Sequence, residues 1–187
     1  MTGIDSMASR AIADNLRFRP VDSQDSEFLF RLYADTRCSE MALLDWTDLQ
    51  KQTFLRLQFA AQSNHYITNF PDASHQLILH KSPSDAWAMG EQTPGKICPI
   101  GHIHINRTGQ EIRLVNIALL AAYRNQGIGH YLVTTLQHEA VEHNVPIYLH
   151  VEYHNHDALR FYKRLGFVQE KITGMHQCMA WRPTTGL

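Results

Sequence analysis

The sequence predicts one mixed α/β domain of the α+β kind, on three observations. Short runs with period-two alternation are interleaved with longer runs whose apolar residues recur every three or four positions, so strands and helices share one chain. Two long strand-like runs, Ile97 to Asn106 and Ile112 to Leu120, flank Arg107-Thr-Gly-Gln110 and predict an antiparallel hairpin. Finally, Ile117 to Leu132 passes from an apolar strand through a polar turn into a helix whose first turn holds Gly127 and Gly129. The 187 residues suit a single core, and no repeat, low-complexity tract or linker divides them.

In chain order, residues 1–15 read as a loosely ordered tail, 16–182 as the domain and 183–187 as a C-terminal tail. Leu16 to Asp22 alternates and forms a first strand, ended near Pro20. Asp22 or Ser23 caps a helix with Phe28, Leu29, Leu32, Tyr33 and Thr36 on its inner face. Thr47 and Gln50 have capping-box spacing and start a second helix, apolar from Leu49 to Ala61. Ser63 to Ser74 reads as a polar loop holding Pro71, and Gln76 to His80 as a short strand. Lys81 to Lys96 is expected to be a long exposed connection, with Trp87 inside it. After the glycine turn, apolar positions Ile128, Tyr131, Leu132, Thr135, Leu136, Ala140 and His143 carry one helix face as far as about Asn144. Pro146 to Val151 is a buried strand, and Asn155 to Leu165 is a helix ended by Gly166. Phe167 to Lys171 and His176 to Trp181 form a closing strand pair.

Composition excludes several function classes. A net charge of -1 without a Lys/Arg-rich run argues against a nucleic-acid partner. No apolar run approaches the ~20 residues of a membrane span, and the N-terminus lacks a signal-peptide layout. Cys38, Cys98 and Cys178 are odd in number and lack CxxC spacing, which points to a reducing, cytoplasmic setting. Among twelve histidines, His102 and His104 lie two apart on one strand face, and His150, Glu152 and His154 alternate in the same way if the strand runs that far. The expectation is histidines that are solvated or hydrogen-bonded, and no metal.

The glycine turn proposes its own chemistry. The first turn of a helix has N–H groups without partners and a partial positive end. Glycines there let a ligand approach the backbone. Arg124, Asn125, Gln126, Gly127, Ile128, Gly129 and His130 thus predict an anion site for a phosphate or diphosphate, alongside the plain alternative of a strand-to-helix turn.

Arg124-x-x-Gly127-x-Gly129 after an apolar strand resembles the acyl-CoA motif of the GNAT (GCN5-related) N-acetyltransferase family. Leu149-x-Val151, then Asn155-x-x-Ala158-x-x-Phe161-Tyr162-x-x-Leu165-Gly166-Phe167, resembles the family's second motif at the matching spacing. The resemblance implies the GNAT fold, a twisted, mixed but mostly antiparallel sheet of about seven strands flanked by about four helices. It implies acetyl-CoA as cosubstrate, with the coenzyme A diphosphate on the glycine turn from Arg124 to His130. The pantetheine arm would lie where a bulged strand splays from its parallel neighbour, bonding to main chain near Ile117 and Leu119. Asn155 would contact that arm or serve as an N-cap.

On the same resemblance, Tyr162 is the general acid that protonates the departing thiolate, and its alternative is a core aromatic. The base is open. The strand that carries an acid in some relatives has none within it, since Glu111 precedes it and Asn116 stands inside it. Glu152, His102, His104, Tyr153 or a chain of waters are the candidates. The implied function is N-acetyl transfer to an amine of a small molecule or peptide, by direct attack in a ternary complex. The alternatives are a catalytically inactive acyl-CoA-binding or regulatory domain and an enzyme for longer acyl groups. The resemblance leaves the oligomeric state open, with a homodimer, as in many relatives, among the options.

Overall fold

The computed structural model describes residues 10–81 and 97–184. Apart from Lys81, the connection expected from Lys81 to Lys96, with Trp87, lies outside the described residues. The elements are β1 (Leu16–Pro20), α2 (Ser26–Thr36), α3 (Cys38–Ala42), α4 (Asp48–Asn69), β2 (Ser74–Lys81), β3 (Ile97–Arg107), β4 (Ile112–Leu119), α5 (Ile128–His143), β5 (Ile147–Glu152), α6 (His156–Arg164), β6 (Val168–Thr173) and β7 (His176–Trp181), preceded by a short helix, α1, over residues 10–15. This last helix occupies part of the expected tail; its Ile12 packs against the core.

Seven strands form one sheet in the order β1-β2-β3-β4-β5-β7-β6. Every neighbouring pair is antiparallel except β4 and β5. The GNAT-type architecture expected from the motifs is therefore present. Its four longer helices are α2, α4, α5 and α6. On one face, Leu132, Val133, Leu136 and Ala140 of α5 pack with Ile78, Ile100, Ile103 and Ile147 of the sheet. On the other, Phe28 and Leu32 of α2 pack on Leu77, with Ala118 and Leu120 alongside. Apolar side chains thus alternate between two buried faces, which is why the central strands read as near-continuous apolar runs.

Local chemistry sets the helix ends. Thr47 Oγ1 accepts from Gln50 N–H and the Gln50 side chain accepts from Thr47 N–H, completing the expected capping box. Thr47→Ala is expected to lower stability by about 1 kcal/mol, read as a shifted urea midpoint at unchanged slope. The helix then runs 22 residues, through most of the expected polar loop, and stops just before Phe70-Pro71. Asn64, His65, Thr68 and Asn69 are exposed, while Phe59, Gln62, Ser63 and Tyr66 line a cleft, so the polar stretch has a wet outer side and a cleft side. Asp22 caps a single 3-10 turn, Ser23–Asp25, whose Asp25 reaches back to Asp22 N–H at 2.9 Å and pairs with Arg19 at 2.6 Å. Gly166, at φ +83, closes α6. Phe167 N–H donates to Tyr162 C=O at 3.0 Å and Gly166 N–H to Lys163 C=O at 3.0 Å, a Schellman cap that holds the turn bearing Tyr162.

Candidate active site

The site begins where β4 leaves β5. The two strands pair over only three residues, Ile112 to Leu114 against Ile147 to Leu149, although both continue further. The cause is a bulge. His104 faces Asn116 while Ile105 faces Leu114, so Val115 is the extra residue that bends β4 away.

Beyond the bulge, hydrogen-bond alternation decides what faces the gap. Leu120 N–H donates to Ile100 C=O at 2.8 Å, so with period two the main-chain groups of Ala118 and Asn116 also turn toward β3. Those of Ile117 and Leu119 turn toward the space that β5 has left. Leu119 C=O is taken by Arg124 Nε at 2.8 Å.

Gly101 makes this geometry possible. A Cβ there would lie 2.3 Å from Ala118 O and 2.7 Å from Leu119 Cδ2. A glycine inside a strand signals such a close approach, a sign present in the sequence. Gly101→Ala is expected to cost about 1–3 kcal/mol and to displace the Ala118–Leu119 backbone. Chemical denaturation and coenzyme A calorimetry check both effects.

The glycine turn sits past the end of β4. Asn125 (φ +59) and Gly127 (φ +82) are left-handed, and Gly127 is the N-cap of α5. The first intrahelical bond of the turn runs from Tyr131 N–H to Gly127 C=O, so the N–H groups of Ile128, Gly129 and His130 have no intrahelical acceptor. This open helix end fits an anion. Arg124 has a different surrounding from the one the motif suggests. Besides Leu119 C=O, its guanidinium bonds the Asp35 carboxylate, which also accepts from Ala121 N–H at 3.0 Å. Asp35 thus ties the loop to α2 and turns the Arg124 charge inward.

The β4–β5 gap opens into a cleft of about 270 Å3. Ile117, Asn155, Tyr162 and Glu152 all line it, whereas Leu119 and residues 124–130 do not. Tyr162 is 7% exposed, and burial raises its phenol pKa above the ordinary value. Asn155 accepts from Ala158 N–H at 3.1 Å, so it is the N-cap of α6 and a cleft residue at once.

Glu152 is gripped by Arg37, with both carboxylate oxygens on both guanidinium nitrogens, one contact at 2.7 Å. Arg37 also meets Glu40 at 3.1 Å. The Arg37 hydrogen bonds hold the Glu152 carboxyl below its usual pKa range. A carboxylate so stabilised is a weak proton acceptor, which departs from the role of base expected for it. The pair joins the α2–α3 junction to the end of β5 and stands between the cleft and a second lobe of about 230 Å3. Arg37 and Asp35 act across 115 and 89 residues respectively, and no sequence spacing announces them.

The cleft reaches the sheet at histidines. His75 and His102 line it, and His104 is packed beside them. Among the described residues no group of three His, Cys, Asp or Glu is placed to hold a metal ion. Among the same residues no helix is long and apolar enough to cross a membrane.

Comparisons with known proteins agree with this architecture. The profile described as the Acetyltransferase (GNAT) family matches residues 42–167. No curated protein matches the sequence. Among solved structures, the PaiA N-acetyltransferase of Thermoplasma acidophilum in complex with coenzyme A is similar at a TM-score of 0.59 and 15% identity, over 90% of this chain and 99% of that one. Arabidopsis thaliana NAA60 with a bisubstrate analogue is similar at 0.52 and 17%, over 91% and 99%. The spermidine/spermine N-acetyltransferase SpeG of Vibrio cholerae, crystallised with manganese ions, is similar at 0.50 and 17%, over 91% and 94%.

Proposed function

The chain belongs to the GNAT acetyltransferase family, and on that premise we propose that it transfers acetyl from acetyl-CoA to an amine of a small molecule or peptide by direct attack in a ternary complex. The observation that carries this is the gap left by β4 after three paired residues, with Ile117 and Leu119 main chain facing it and Tyr162 lining the cleft beyond. An extended thioester arm placed there acts as a strand, bonded by Ile117 and Leu119. The N–H groups of Ile128, Gly129 and His130 receive its diphosphate, and the turn Asn125-Gln126-Gly127 shapes the approach. Arg124 acts as a positioning residue that holds the turn against Asp35.

The chemistry asks little covalent work of the protein. The amine and thioester are held together, which replaces a bimolecular encounter by an oriented one. Tyr162, kept protonated by burial, gives its proton to the sulfur as the C–S bond breaks. Glu152, already ionised and bound to Arg37, shapes the acceptor wall and shares one cation with Glu40. We also infer one domain over residues 16–182, because a single sheet runs from Leu16 to Trp181. A cytoplasmic setting is supported by Cys38, Cys98 and Cys178 all being free thiols.

The pairing of Glu152 leaves no free carboxylate base on β5, and this favours a second reading, an acyl-CoA-binding domain without turnover. Calorimetry with coenzyme A, together with thiol release from acetyl-CoA over a panel of amines, separates the two. Binding with turnover is the expected result. Binding with no turnover on any amine selects the second reading, and absence of binding overturns both.

A further inference from the structure

His75, His102 and His104 come together on the cleft face of the sheet. Strand register places His75 opposite His104 and Leu77 opposite His102, so His75 and His102 are diagonal neighbours. His75 Nε2 lies 2.7 Å from His102 Nδ1. The ring of His104 stacks on His75 with centroids 4.6 Å apart, and Tyr66 of α4 stands edge-on to His104. His102 is buried at 9% exposure, whereas His75 is only partly covered. His102 is also the direct neighbour of Ala118 on β4, between the two residues whose main chain faces the gap. Neither the diphosphate site nor the phenol makes use of this cluster.

At 2.7 Å one proton bridges the two rings, and either ring can own it. If His102 Nδ1 owns the proton, His102 Nε2 is a bare lone pair and His75 Nδ1 carries a proton. If His75 Nε2 owns it, the two outer nitrogens exchange roles. Passing from the first arrangement to the second takes in a proton at His102 Nε2 and releases one at His75 Nδ1. Neither ring has to remain charged.

We propose that His102 is the catalytic group that accepts the proton lost by the acceptor amine, and that His75 relays it to solvent. This rests on the amine-acetylation reading above. The amine nitrogen forms its bond to the thioester carbonyl carbon, and the adduct gives one N–H proton to His102 Nε2. The bridging proton shifts to His75 Nε2, and the proton on His75 Nδ1 passes to water. The C–S bond then breaks with its electron pair on sulfur, which takes the Tyr162 proton. Solvent returns a proton to Tyr162. After the products leave, water takes the proton from His102 Nε2 and returns one to His75 Nδ1 as the bridging proton shifts back, so the pair is reset, and overall one proton leaves nitrogen and one arrives at sulfur.

The surroundings suit a relay rather than a stored charge. Burial lowers the pKa of His102 to about 3 and of His104 to about 4, so both stay neutral. The His75 pKa is lowered by burial and opposed by the negative charge of Asp25. Asp25 lies at the His75 end, where a transient positive charge is helped on its way out, and is itself paired with Arg19. The other ionisable groups facing the cleft are Tyr33, Arg37 and Glu40 from the α2 side, Tyr66 from α4, Tyr162 from α6, and His150, Glu152 and His176 from the far wall.

The test uses the full chain with His102→Gln and His75→Gln, since glutamine keeps hydrogen bonding but cannot exchange tautomers. Initial rates at saturating acetyl-CoA are measured on 2-phenylethylamine, spermidine and a tripeptide with a free N-terminus, with coenzyme A affinity and melting temperature alongside. His102→Gln is expected to lower kcat roughly 10²-fold and His75→Gln roughly tenfold, with coenzyme A affinity within about two-fold of wild type. The wild-type rate in H2O/D2O mixtures should respond to more than one proton in flight, and the His102→Gln rate to one fewer. A kcat for His102→Gln within about two-fold of wild type overturns the relay and leaves acetyl transfer standing. So does a loss matched by equal losses of coenzyme A affinity and melting temperature, which marks a structural role. If the wild type itself turns over no amine while binding coenzyme A, the acetylation reading fails and the relay falls with it. Ring 15N shifts add an assay independent of turnover: both rings neutral at pH 7 support the relay, and a charged ring overturns it.

Discussion

Gly127→Asp is expected to reduce coenzyme A affinity by ~10²-fold or more, because its carboxylate enters the surroundings of the proposed diphosphate. Two effects combine at this position. Gly127 has φ +82, where side chains are strained, and a Cβ would stand 3.1 Å from Ile12 Cδ1. Charge adds repulsion of roughly 4 kcal/mol for unit charges 4 Å apart at an effective dielectric of 20. Gly127→Asn carries the same backbone strain without the charge. Calorimetry on both variants therefore separates the terms: Gly127→Asn is expected to lose much less affinity than Gly127→Asp. Equal affinities for wild type and Gly127→Asp would remove the diphosphate from this helix end.

Tyr162→Phe is expected to lower kcat by roughly 10²-fold while leaving coenzyme A affinity within about three-fold. The phenylalanine keeps the ring contacts with Phe161 and Phe167, whose centroids lie 5.1 and 5.5 Å from that of Tyr162. What is lost is the hydroxyl. Burial raises the Tyr162 pKa, so the protonated, donating form persists above the ordinary phenol value of about 10. Wild-type kcat should accordingly show no decline from phenol ionisation below that pH. Unchanged turnover in Tyr162→Phe would leave the residue as a core aromatic with no part in the chemistry.

Local chemistry was the more legible half of this molecule. Thr47 with Gln50 and Gly166 each act within a few residues of themselves, through a capping box and a left-handed backbone, and the structure has them in those roles. The same is true of Asn155 as the cap of α6. Asp22, in contrast, caps the 3-10 turn ahead of α2 and not the helix itself. The extent of α4 was less legible. Its polar C-terminal half resembles a loop by composition, yet it continues as a helix because Gln62, Ser63 and Tyr66 line the cleft while the outer side stays wet. Gly101 lay between the two cases, since a strand glycine signals a close approach without naming the atoms approached.

Residue types and their spacing did not announce the short helices α1 and α3, but they were enough for the order of the seven strands and the four longer helices, the glycine turn and the two motifs of the GNAT family. Those features depend on residue type and spacing along the chain, so they survive without coordinates. Tertiary structure alone decided which side chains meet. Glu152 became a partner of Arg37, Arg124 turned to Asp35, and His75 came within hydrogen-bonding reach of His102. Each of these contacts joins elements distant in sequence. Strand register, the Val115 bulge and the packing of α2 on the sheet set them. A one-residue slip in register would send His75 or His102 to the opposite face.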